Sequence, residues 1–153
     1  MSLSVVVVSD VHRNDEFLRR LLPIINSSDY FIFCGDGISD VMSVSCEITA
    51  RMVCARGNCD YGSMVSESSR ITLGGLNAFV THGHLYGVKQ SLGTLAEIAR
   101  AKDCDVAFFG HTHIFTDTEI GGVRLINPGA LIGGSYAFVK IDGKKITCEQ
   151  RSV

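Results

Sequence analysis

The sequence is as informative in what it lacks as in what it holds. None of its six cysteines (Cys34, Cys46, Cys54, Cys59, Cys104, Cys148) makes a C-x-x-C pair. That excludes zinc-ribbon and thioredoxin-type motifs and points to reduced thiols of a cytoplasmic protein. No apolar run nears the ~20 residues a membrane helix needs. Leu3 to Val8 is too short for a secretory core and has no basic segment before it. Charge of either sign is not in excess: the net is -2, so no dedicated nucleic-acid or membrane surface is expected. Repeats, linkers and low-complexity segments are missing too. At 153 residues, with 46% apolar and 20% charged, one domain spanning 1–153 is expected. Such a chain buries roughly 70% of its unfolded surface and needs no staples.

The pattern along the chain is of two kinds. Leu3 to Val8, Tyr30 to Cys34 and Arg51 to Ala55 are short strand-like runs, the first two continuously apolar as in strands buried on both faces. A helix with Asn14 as N-cap, acids Asp15 and Glu16 in its first turn, and an apolar stripe of Phe17, Leu18, Leu21, Leu22 and Ile25 follows the first. A short helical or irregular stretch, Ser39 to Glu47, follows the second. This rhythm predicts a parallel α/β sheet, whose ligands gather beyond the carboxyl ends of the strands. The remainder reads as hairpins (Ser66 to Leu73, Leu76 to Val80), a helix over Ser91 to Lys102, a buried strand over Asp105 to Phe109, and four further strands from Ile114 onward. Two stacked sheets with helices outside follow from this order.

All five histidines, His12, His82, His84, His111 and His113, lie in short loops after apolar runs. So do Asp10, Asp36 and Asn58. Taken singly, each has a structural explanation: Asp10 as a turn cap, Asp36 and Asn58 as turn residues, His82 and His84 as exposed loop residues. Their common address at the ends of strands favours a shared site. Carboxylates, imidazoles and one amide suit manganese, iron, zinc or nickel. Leaving His84 aside, the seven candidate ligands Asp10, His12, Asp36, Asn58, His82, His111 and His113 are too many for one ion and about right for two. The glycine-flanked Asp36 is the natural bridge. Gly110 is expected to give the backbone freedom that turns His111 and His113 toward one point. No Ser/His/Asp arrangement offers a side-chain nucleophile.

The ordered motifs Asp10-x-His12, Gly35-Asp36, Gly57-Asn58-Cys59-Asp60, Thr81-His82-Gly83-His84 and Gly110-His111-Thr112-His113, with the turn at Asn127-Pro128-Gly129, resemble those of the calcineurin-like metallophosphoesterase superfamily. More narrowly they are similar to its small single-domain bacterial and archaeal phosphodiesterases. The resemblance implies a four-layer α/β/β/α sandwich of two mixed sheets. It also implies two divalent metal ions, with manganese favoured over nickel, iron or zinc. One ion would take Asp10, His12, Asp36 and His113; the other Asp36, Asn58, His82 and His111. The implied reaction is hydrolysis of small phosphodiesters, in some members monoesters, by a metal-bridging hydroxide, with Asp36, Asn58 and His84 as the catalytic set.

Two positions depart from the pattern of larger members. Cys59 stands where they carry a histidine thought to protonate the leaving group, and a thiol near pKa 8.5 is a poor acid for that role. Good leaving groups, or a proton from Asp60, His84 or water, are the alternatives. Arg13 replaces a common glycine and either reaches a substrate phosphate or is solvated at the helix start. Relatives that act as trafficking scaffolds usually drop ligands, whereas all seven are kept here. A metal-holding scaffold and, more remotely, a cysteine-based redox or zinc protein are the competing readings. Hairpin-rich edges and family habit favour a homodimer or tetramer. The substrate class beyond a small phosphodiester is left open.

Overall fold

The computed structural model describes residues 2–153. Ten strands and three helices alternate: β1 (Ser2–Val8), α1 (Asp15–Asn26), β2 (Tyr30–Phe33), α2 (Ile38–Val44), β3 (Arg51–Cys54), β4 (Ser68–Leu73), β5 (Leu76–Thr81), α3 (Gly93–Ala101), β6 (Val106–Phe108), β7 (Thr116–Ile120), β8 (Val123–Asn127), β9 (Ser135–Asp142) and β10 (Lys145–Ser152). They form two five-stranded mixed sheets, ordered β10-β9-β1-β2-β3 and β4-β5-β6-β8-β7. In the first, β1, β2 and β3 run parallel and β9 pairs antiparallel with β1. In the second, β5, β6 and β8 are parallel, with β4 and β7 antiparallel at the edges.

Strand β1 shows why the layers stack as they do. Successive side chains leave a strand on opposite faces. Val5 and Val7 enter the core between the sheets with Ile32, Val80, Phe108, Ile126 and Val139. Val6 and Val8 face outward onto Leu18, Leu21 and Ile25 of α1 and Val41 of α2. The second sheet repeats this: Phe108 points inward, while Ala107 packs beneath Leu95 and Ala99 of α3. Two faces buried per central strand require an apolar residue at every position, which is the unbroken run seen in the sequence. The expected α/β/β/α sandwich is therefore present. Among the described residues, no helix is long and apolar enough to cross a membrane.

Most element boundaries differ from expectation by a residue or two, β4 for example beginning at Ser68 rather than Ser66, and two of the shifts bear on the site or its support. The third helix begins at Gly93 rather than Ser91, because Leu92 at its cap has no side-chain acceptor for the free N–H groups. Strand β7 begins at Thr116, two residues late, because the loop carrying His111 and His113 extends through Phe115 before pairing starts. The parallel strands of both sheets present their carboxyl ends at one rim of the sandwich. β1, β2 and β3 deliver Asp10, Asp36 and Asn58 there from one sheet; β5 and β6 deliver His82, His111 and His113 from the other.

Candidate metal centre

The loops at this rim are bound to one another through their backbones. The N–H of Asp10 donates to Gly35 O at 2.9 Å, and those of Val11 and His12 donate to Asp36 O at 3.0 and 3.2 Å. Gly110 N–H reaches His82 O at 2.9 Å. Two bonds cross between the sheets. The His111 N–H donates to Asp10 Oδ2 at 3.1 Å, and His82 Nδ1 lies 2.7 Å from Cys34 O.

Backbone strain marks the same residues. Among the described residues, seven non-glycine residues have positive φ, and six of them are Asp10, His12, Arg13, Asp36, His111 and His113. Such conformations cost free energy and persist only where the surroundings over-determine them, commonly at functional sites. Gly110 is not among the positive-φ glycines. The turn freedom expected of it belongs instead to His111 (φ 70°) and His113 (φ 64°). What Gly110 supplies is space: a Cβ there would overlap Ser9 Oγ and stand 2.8 Å from Asp10 Oδ2. At Gly57 a Cβ would overlap Asp36 Oδ1.

Asp10 is fully buried, and its two oxygens are used differently. Oδ2 accepts from Ser9 Oγ at 2.7 Å and from the His111 N–H. Oδ1 has no hydrogen-bond partner at all. It faces His113 Nε2 at 3.2 Å and His12 Nε2 at 3.4 Å, and those two nitrogens are 3.3 Å apart. Asp36 Oδ1 accepts the Cys59 N–H at 2.8 Å, leaving Oδ2 3.3 Å from His82 Nε2 and 3.8 Å from His12 Nε2. His82 Nε2 is in turn 3.2 Å from His111 Nδ1. A carbonyl only accepts, so the Cys34 contact places the His82 proton on Nδ1 and turns the Nε2 lone pair into the cluster.

Ring nitrogens of His12, His82 and His113 and carboxylate oxygens of Asp10 and Asp36 thus converge on common space. That is what divalent cations require and what an unliganded core would avoid. The donor chemistry, oxygen and imidazole nitrogen, fits such ions. Three sets of ligand atoms lie within bonding reach of a common point: Asp10, His12 and His113; Asp10, Asp36 and His82; and His12, Asp36 and Cys59. Asp10 is therefore shared between sets as fully as Asp36, the residue expected to bridge. Cys59, expected only as a neighbour, brings its sulfur into the third set. His111 reaches the cluster through His82. Asn58 is exposed, with its amide nitrogen 3.6 Å from Cys59 Sγ.

Charge follows from this packing. Burial pushes the Asp36 carboxyl up, but the His82 ring and the Cys59 N–H outweigh it and hold the pKa at about 2. For His82 burial works against the charged form, while Asp36, Asp10 and the Cys34 carbonyl together raise its pKa above the ordinary imidazole value. His111 and His84 are both lowered, first by burial and then by the charge of His82. His84 stands apart from the ligand atoms. Its ring centre is 5.5 Å from that of His82 and 6.2 Å from that of His111, and its Nδ1 is buried without a partner.

Three supporting residues were not legible as such. Asp60, a candidate proton donor in the sequence, has both oxygens committed to backbone: Oδ1 accepts from Gly37 and Ile38, Oδ2 from Asp36 and Gly57, all at 2.7–3.0 Å. It is a clamp on the Asp36 loop, with both oxygens occupied as acceptors. Ser9 orients Asp10. The fully buried Asn127 donates to Gly110 O and Thr112 Oγ1, both at 3.0 Å, and fixes the loop that carries His111 and His113. The Asn-Pro-Gly turn was its one visible signal.

Comparisons with known proteins agree with this geometry. Residues 3–144 match the model of the calcineurin-like phosphoesterase superfamily domain. The chain is 32% identical over 130 residues to the probable metallophosphoesterase YsnB of Bacillus subtilis, covering 84% of this chain and 75% of that one. It is 31% identical over 153 residues to vacuolar protein sorting-associated protein 29 of Schizosaccharomyces pombe, covering 93% and 79%. Phosphodiesterase MJ0936 of Methanocaldococcus jannaschii is 25% identical over 148 residues, 86% of each. A crystal structure of a predicted phosphoesterase from Streptococcus pneumoniae superposes with a TM-score of 0.87 over 99% of this chain and 90% of that one, at 21% identity.

Proposed function

The chain belongs to the calcineurin-like phosphoesterase superfamily, and from that premise we propose that it is a divalent-metal-dependent phosphodiesterase acting on small phosphodiesters. The observation that carries this reading is the buried Asp10 Oδ1, which lacks any hydrogen-bond partner while facing the Nε2 atoms of His12 and His113. Asp10, His12, Asp36, Asn58, His82, His111 and His113 would hold two ions, with manganese the favoured metal. When bound, such ions supply Lewis acidity, lowering the pKa of water and neutralising charge on phosphoryl oxygens.

The chain's own residues do the positioning. Ser9 and the His111 N–H fix Asp10, so its free oxygen keeps one direction. Asp60 fixes the Asp36 loop, and the Cys34 carbonyl sets the His82 tautomer. None of these side chains needs to move to receive substrate, which is the preorganisation that electrostatic catalysis demands. Burial and the charge of His82 lower the His84 pKa, which favours a hydrogen-bonding contact with the phosphoester over an acid role. With Asp60 committed and the Cys59 thiol raised by burial and by Asp36, the leaving group takes its proton from water. Esters with good leaving groups are therefore preferred.

Bis(p-nitrophenyl) phosphate tests the reading directly. Turnover should rise with added manganese and fall at least a hundredfold in Asp36→Asn, with less metal bound. Near-normal turnover in that variant would overturn the scheme. The 31% identity to a protein named for vacuolar protein sorting supports one other reading, a metal-holding interaction protein. Stoichiometric metal with no turnover of any phosphoester would decide for it.

A further inference from the structure

A cleft of about 870 Å³ opens beside the ligand cluster and shares His12, Asp36 and Cys59 with it. Its far walls are unlike the cluster. Met42 of α2 and Tyr61, Met64 and Val65 of the loop after β3 also line it. Arg13 stands at the rim, its backbone N–H held by Asp40 Oδ2 at 3.1 Å. Tyr61 is 89% exposed and Met64 98% exposed. Two large apolar side chains left in water on one short loop that lines the cleft carry a hydration cost that a ligand would remove.

We propose that this cleft is a subsite for a flat aromatic ring, an aryl or nucleobase group carried on the phosphoester whose phosphorus sits at the Asp10/Asp36 cluster. The proposal rests on the phosphodiesterase reading for the position of the phosphoryl group. Continuity is the first argument: an ester group leaving the cluster on the His12/Cys59 side enters this cleft. Chemistry is the second. A tyrosine ring offers a stacking face, and methionine thioethers make favourable, shape-tolerant contacts with ring edges. Stacking of this kind tolerates any base or aryl ring, because every one has a π-face. Size is the third: the cleft holds a nucleoside with room for solvent, whereas a methyl ester would leave the apolar walls wet. The rim guanidinium of Arg13 suits the remaining phosphate charge.

The test is calorimetric binding of thymidine 5′-monophosphate and of methyl phosphate to the manganese-loaded protein. Both carry the same phosphomonoester group and differ in the nucleoside that replaces methyl, so the ring's share is read from the Tyr61 and Met64 variants. The wild type should bind the nucleotide at least tenfold more tightly. That preference should survive in Tyr61→Phe and shrink to about twofold in the Tyr61→Ala/Met64→Ser double variant. Equal affinities in the wild type, or a preference undiminished in the double variant, would overturn the subsite. Hydrolysis of thymidine 5′-(p-nitrophenyl phosphate) and methyl p-nitrophenyl phosphate, which share a leaving group, is measured in parallel. The nucleoside ester should win through KM. Absence of turnover for both esters with the binding preference intact would count against the phosphodiesterase reading and leave the ring subsite standing.

Discussion

Asp60 accepts the backbone N–H of Asp36 at 2.8 Å, and with its remaining lone pairs it takes the N–H groups of Gly37, Ile38 and Gly57. Asp36 is thus presented by a loop that another carboxylate holds shut. Asp60→Asn offers one acceptor oxygen where two are used and turns an NH2 group toward N–H donors. The metal-free variant should lose about 2–3 kcal/mol of stability, read as a lower urea midpoint at unchanged slope. A loss under 0.5 kcal/mol would show that water replaces the clamp.

Asp10 predicts the response to metal. Saturating manganese binds only the folded chain, so at a hundred times Kd it should add about 2.7 kcal/mol. For a chain of this size that raises Tm by about 5–10 °C. Asp10→Asn should show little of the rise, since the partnerless oxygen is the one removed. An equal rise in both proteins would place the ion elsewhere.

His82 and Asp36 set the pH dependence of the metal-free protein. The folded pKa of His82 is raised, so its contribution is fully present below about 6.5 and is lost as pH climbs through the folded value. Asp36 is depressed to about 2, so its contribution holds above the ordinary 3.8 and is lost as pH falls toward 2. Thermal melts without metal should therefore show Tm declining as pH rises above 6.5. Metal competes with the His82 proton, so the manganese-induced rise in Tm should grow over the same interval. A metal-free Tm that stays flat there would contradict the raised His82.

The thiols give a test of packing that needs no metal. All six cysteines are free, with Cys46 and Cys59 exposed. Burial pushes Cys54 and Cys148 up to about 12 and Cys34 well above the usual thiol range. An alkylating reagent at pH 8 should modify Cys46 first and Cys59 more slowly, because burial, and then Asp36 and Asp60, raise the Cys59 pKa. The other four should react only after denaturation. Fast labelling of Cys34 would contradict the buried path from β2 to the centre.

Much of this architecture could be read from the chain because buried central strands must be apolar at every residue, as Val5 to Val8 and Phe31 to Phe33 are. The same logic placed Asp10, Asp36, His82, His111 and His113 at strand ends, and the structure brings them to one rim. What the sequence concealed was division of labour among identical residue types. Asp60 and Asp36 are both aspartates in glycine-rich turns. One spends its oxygens on backbone and the other keeps one directed at imidazoles, and only three-dimensional register separates them. Ser9 and Asn127 were hidden for a similar reason: their partners lie in the adjacent residue's side chain and seventeen positions upstream. The φ values of His111 and His113 carry no sequence signature, so Gly110 was credited with a turn made by its neighbours.

The candidate ligands also come from both halves of the sandwich. Asp10, His12 and Asp36 hang from one sheet; His82, His111 and His113 hang from the other. Elsewhere the sheets meet through interdigitated aliphatic side chains, which resist separation but tolerate sliding. Cations seated at the rim would act as a rivet through both plates, suppressing shear at that end alone. Amide exchange in the rim loops should therefore slow on loading with metal far more than exchange at the opposite end, around Gly74 and Gly143, making the rim the part of the molecule whose rigidity metal availability would set.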